Sequence, residues 1–181
     1  MKKLFALTLA LLLLFSAAAL ADEPYVFSFR GITWDSTPED VAAAEGITME
    51  DFRTNGIVTF AVGKNYEAGG YSYLLAYGFV DNRLTAMEMS FQESDTDLQT
   101  VLDSTARALS EEYGEPNCND YETINSIFTF FPGAAELTEE DVQNGYGWLL
   151  PDQRTVIFLS NLKSGGLGFA IFDLNAVSGS K

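Results

Sequence analysis

"YSYLLAYGFVDNRLTAMEMSF", residues 71–91, sets two runs rich in aromatic and aliphatic residues on either side of Asp81-Asn82-Arg83, and it reads as a β-hairpin. The register at that turn matters, because a slip of one residue moves every side chain to the other face of the sheet. With a three-residue loop, Val80 pairs with Leu84, so Tyr73, Leu75, Tyr77 and Phe79 share a face with Thr85, Met87, Met89 and Phe91. That register leaves Ser72, Gly78, Glu88 and Ser90 on the other side. A two-residue loop groups the tyrosines with Glu88 and Ser90 and gives two mixed faces. The first register sorts polar from apolar better, and it makes the tyrosines core residues.

Outward from the hairpin, residues 57–62 before it, and 127–131, 147–150, 155–159 and 168–172 after it, also read as strands between Gly, Asn, Asp or Pro. Residues 25–29 add a first strand, broken at Gly31. Two helices interrupt the series. In "FRGITWDSTPEDVAAAEG", residues 29–46, Ser36-Thr37-Pro38-Glu39 has capping-box spacing, Pro38 suits a first helical turn and Gly46 a stop. From 96 to 113, Leu98, Val101, Leu102, Leu109 and Tyr113 fall on one face opposite Gln99, Asp103, Arg107 and Glu111, before Gly114 and Pro116. A short third helix starts at Thr138 in "TEEDVQNG".

Consecutive strands joined by short turns favour antiparallel pairing, so the class is α+β, an antiparallel sheet packed by two main helices. Helix followed by strands occurs twice, which reads as half-repeats 25–92 and 94–175 within one domain, 22–181.

Residues 1–21 read as a secretory signal peptide: Lys2 and Lys3, an apolar run, and Ala19-Leu20-Ala21 as the cleavage site. Cleavage leaves eight basic against 26 acidic residues, a formal charge of −18. Such a field repels nucleic-acid phosphates and anionic lipid, and it keeps a secreted, extracytoplasmic protein soluble. No second run approaches membrane-spanning length once the leader is removed. Cys118 is the sole cysteine, so no internal disulfide forms.

The chain has no histidine, which removes the commonest general base and the usual Ser-His-Asp and Cys-His nucleophile systems. Cys118 lies among acids that raise a thiol pKa, so it is no nucleophile. A carboxylate-dependent, glycosidase-like hydrolase would need two acids in one cleft, from candidates such as Asp35, Glu88, Asp120 and Asp173. A calcium-stabilised domain would draw on Glu93, Asp95, Asp97 and Asp103, or on Glu139-Glu140-Asp141, although the EF-hand Gly and closing Glu are missing. "KSGGLGF", residues 163–169, matches no phosphate loop and reads as a glycine turn.

"FRGITWDSTPEDVAAAEG", "YGFVDNRLTAMEMSF", "YGEP", "YGWLLPDQRTVIFLS" and "LGFAIFDL" together resemble a family of uncharacterised exported bacterial proteins of the Firmicutes type. More distantly, the helix-and-strand units are similar to the fold of β-lactamase-inhibitor proteins and of the small lipoprotein of the outer-membrane barrel-assembly machine. The chain lacks the disulfides of the former and the lipidated cysteine of the latter. The resemblance implies a fold that binds proteins. The expectation is a non-catalytic binding or structural domain with a protein or cell-envelope partner and no cofactor, in which Trp34 and Trp148 are the candidate contacts.

Overall fold

The computed structural model describes residues 26–68, 71–91, 98–128, 137–161 and 167–178. The leader at 1–21, the acids Glu93, Asp95 and Asp97, and most of the 163–169 glycine stretch lie outside them. In chain order the elements are α1 (Pro38–Glu45), a 3-10 turn (Met49–Asp51), β1 (Phe52–Asn55), β2 (Val58–Ala68), β3 (Tyr71–Val80) and β4 (Arg83–Phe91). Then come α2 (Leu98–Tyr113), α3 (Tyr121–Phe128), α4 (Glu139–Gln143), β5 (Tyr146–Leu149), β6 (Thr155–Asn161), β7 (Leu167–Asp173) and α5 (Leu174–Ser178). The class is mixed α+β, with the strands in one antiparallel sheet of order β1-β2-β3-β4-β7-β6-β5.

Strand alternation sorts the side chains onto two faces. Phe52, Ala61, Tyr77, Met87, Ile171, Ile157 and Trp148 are register partners from one edge of the sheet to the other, and all seven are buried. Over this row pack Phe27, Phe29, Ile32 and Trp34, Val41 and Ala42 of α1, and Val101, Leu102, Ala106 and Leu109 of α2. The opposite face is covered at β5–β7 by Ile124 and Phe128 of α3 and Val142 of α4, against Val156, Phe158, Ala170 and Phe172.

The 71–91 hairpin combines the two registers. Its turn has two residues, Asp81 and Asn82, both at positive φ (48° and 63°), with Val80 opposite Arg83. A bulge then shifts the ladder by one, so Tyr77 faces Met87, Leu75 faces Met89 and Tyr73 faces Phe91, the pairing that the apolar sorting favours. Burial of Tyr73, Leu75 and Tyr77 fixes the strand faces, and the bulge reconciles them with the tighter turn. Its bulged residues are well partnered. Thr85 Oγ1 donates to Gly78 O at 3.0 Å, and the Leu84 amide donates to Ser36 O at 2.9 Å, tying the approach to α1 onto the hairpin.

Other expectations need correction. The α1 cap is Thr37, one residue later than Ser36: Thr37 and Asp40 form the reciprocal box, while Ser36 Oγ accepts from the Thr33 amide. Among the described residues of 25–29 no strand forms. Phe29 instead bridges Ile32 across Arg30 (φ 53°) and Gly31 (φ 82°). Ile127 and Phe128 lie in α3, not in a strand. Asp120 accepts the Thr123 amide at 2.8 Å to start that helix, and the 3.6-residue spacing of Ile124 and Phe128 onto one buried face outweighs their β propensity.

Candidate functional site

Trp34 and Trp148 both lie in the core, 3% and 0% exposed. Trp34 stacks on Phe27 with ring centroids 4.2 Å apart, and its Nε1 donates to Thr155 Oγ1 at 2.9 Å. The Thr155 hydroxyl passes the chain of bonds to Asp152 Oδ2 at 2.6 Å, while Asp152 Oδ1 accepts the amides of Arg154 and Thr155. Arg154 forks onto the buried Asp173 carboxylate at 2.8 and 2.7 Å. Residues 34, 152, 154, 155 and 173 therefore form one polar knot that ties the N-terminal turn to the β5–β6 and β7–α5 corners.

Trp148 Nε1 donates to Gly114 O at 2.9 Å, and the segment it holds closes one edge of the sheet. The amides of Asn117 and Cys118 donate to Gly147 O at 2.9 and 3.0 Å, and the Leu149 amide donates to Asn117 Oδ1 at 2.7 Å. The outward backbone groups of β5 are thus satisfied by a loop, one of the ways a sheet edge is blocked against foreign strands.

Among the described residues the other edge is open beyond Ala61. β1 pairs only Val58 to Ala61 of the eleven-residue β2, and among the described residues no strand lies beside 62–68 on that side. Val62, 46% exposed, lies on this edge, whereas exposed Ile57 sits in the β1–β2 turn beside the β3–β4 turn. On the face away from the α1–α2 core, half-buried Phe60, Leu74 and Ala76 continue the apolar strip inward from Val62. A bulge between Val62 and Asn65 breaks the ladder there.

The candidate acids do not form a catalytic pair. Asp35 is exposed and pairs with Arg83, Asp120 caps α3, and Asp173 holds Arg154. Glu88 is half-buried between Ala76 and Ala170 in the sheet, and burial raises its pKa above the ordinary 4.5. Because the folded value is raised, ionising Glu88 costs stability; the cost is absent below the unfolded pKa and grows as pH rises through the folded one. Asp40, Asp51 and Asp120 have the opposite sign: backbone and side-chain hydrogen bonds from Thr37, Thr48 and Thr123 lower their pKa, so their contribution is lost only as pH falls below the ordinary 3.8. Burial, and then the Asp120 charge, raises the Cys118 thiol. Under α1, the wholly buried Glu45 carboxylate lies 3.5 Å from Arg30, and burial followed by the Glu45 charge pushes the Tyr77 hydroxyl pKa up.

Among the described residues no group of three metal-ligating side chains gathers; Asp141 is used in the α4 cap, bonded to Thr138. No helix among them is long and apolar enough to cross a membrane. Two of the cavities lined by described residues have room for a small molecule. One of about 430 Å³ lies beside the β3–β4 turn, where Arg83 and Arg154 are already paired with Asp35 and Asp173. The other, of about 620 Å³, lies between α2, α4 and β5. Comparison of the chain with protein-family models, with curated proteins and with solved structures finds no match.

Proposed function

We propose that this protein is a non-catalytic binding domain that works outside the cytosol and engages an extended segment of a partner protein along the open side of β2. The observation that carries the reading is the asymmetry of the sheet. The β5 edge is closed by backbone and Asn117 hydrogen bonds, whereas beyond Ala61 no described strand pairs with the outer side of β2, where Val62 is exposed. An added strand would gain main-chain hydrogen bonds from 62–68 and lay alternate side chains beside the Phe60, Val62, Leu74 and Ala76 strip. The partner segment is accordingly apolar at every second position, and the formal charge of −18 left after leader cleavage disfavours a strongly acidic one. The bulge and Lys64 at this edge limit indiscriminate pairing, including pairing with a second copy.

Export is supported by the leader-like residues 1–21. The half-repeats 25–92 and 94–175 belong to the same proposal, supported by α1 before β1–β4 and α2 before β5–β7, with both helices in the same core cluster. A photo-crosslinking residue at Val62, compared with one at exposed Arg107 on α2, tests the edge in cells secreting the protein. The expected result is a discrete protein adduct from position 62 that is absent from position 107 and lost when Lys64 and Asn65 are both changed to Pro. Equal adducts from both positions, or none from 62, would overturn the reading.

A further inference from the structure

We propose that the cavity between the first turn of α2, the end of α4 and the start of β5 binds a neutral saccharide. Its volume of about 620 Å³ falls within the roughly 300–1,000 Å³ of small-ligand sites. Four carboxamide residues, Gln99, Gln143, Asn144 and Asn161, belong to the lining, and Gln99 Nε2 also donates to Asp103 Oδ1 at 2.8 Å. Each carboxamide both donates and accepts, which is what a ring of hydroxyls requires of its wall. Among the described residues no lysine or arginine lines the cavity, and Glu140 does, so a phosphate or carboxylate ligand would find no countercharge from them. Tyr146, half-buried and lying nearly parallel to Trp148 (27°, centroids 6.2 Å apart), adds an aromatic surface of the kind that packs on the C–H face of a sugar ring.

The wall is preformed. Asn144 ends α4, its amide bonded to Glu140 O, and Ser160 Oγ donates to Asp141 O at 2.7 Å. Gly145 follows so closely on β6 that an added Cβ would meet the Phe158 ring at 2.8 Å and Asp141 O at 3.0 Å. Of the two acids among the described lining residues, Asp141 accepts from the Thr138 amide at 2.8 Å and hydroxyl at 2.6 Å. Hydrolysis of a glycosidic bond takes two carboxylates in working positions, so the site binds without turnover. It lies at the β5 side of the sheet, opposite the open β2 edge, and neither reading depends on the other.

The test is a titration of the purified protein with N-acetylglucosamine, chitobiose, maltose and cellobiose, with glucuronic acid as the anionic control, read by saturation-transfer NMR. At least one neutral sugar is expected to bind, glucuronic acid about tenfold more weakly, and Asn144→Ala with Asn161→Ala together to weaken binding about tenfold at unchanged Tm, as the loss of one or two hydrogen bonds implies. Failure of every neutral sugar to bind at millimolar concentration, equal binding of glucuronic acid, indifference to the double variant, or release of reducing ends from a bound disaccharide would overturn it.

Discussion

Gly147→Ala is expected to destabilise the protein by about 3 kcal/mol or more, the upper end of overpacking costs. A Cβ at this position would run into the Cys118 carbonyl oxygen, and the Cys118 atoms it meets are backbone, which cannot swing aside as a side-chain tip can. The same glycine carbonyl accepts both the Asn117 and Cys118 amides, so relief of the clash would break the bonds that close β5. At about 2–4 °C per kcal/mol for a chain of this size, Tm should fall by roughly 6–12 °C. Gly56→Ala is the control: it sits at φ 62° with open space around the Cβ position. Strain alone should cost it about 1 kcal/mol. A similar Tm loss for both variants would mean that the 117–118 loop does not lie against β5.

Thr155→Val should cost about 2–3 kcal/mol. It keeps the side chain's shape but leaves the buried Trp34 Nε1–H without its acceptor and Asp152 without a short donor. Thr155→Ser keeps the hydroxyl and removes a methyl group, so a loss of about 1 kcal/mol or less is expected. Urea unfolding of the two variants separates the causes. Equal midpoints would show that the hydroxyl does not bridge Trp34 and Asp152.

The residues that make these two predictions were visible in the sequence as a pattern without a mechanism. "YGWLL" and "PDQRT" stand out, but nothing local says that Thr155 reaches Trp34, 121 positions earlier, or that Gly147 faces Cys118. The hairpin at 71–91 was legible because hydrophobic alternation is a local signal. Its bulge was not, since two competing demands, a type I′ turn and a fixed apolar face, meet only in three dimensions. Helix α3 was hidden for a related reason: the run starting at Ile127 and Phe128 suits a strand until β6 and β7 supply the face against which a helix packs. Neither the closed edge nor the open one could be read beforehand, because an edge is defined by the strand that is missing beside it. The carboxamide-lined cavity gathers Gln99, Gln143, Asn144 and Asn161 from three separate stretches, with no motif to announce it.

A sheet sealed along β5 and available along β2 should show that difference in native-state hydrogen exchange resolved to single amides. Alternate amides of an unpaired edge point outward, so about half of those in 62–68 should exchange readily while their neighbours bonded to β3 stay protected. The Leu149 amide, held by Asn117 Oδ1, should exchange only with global unfolding. Uniform protection across 62–68, or rapid exchange at Leu149, would contradict the account.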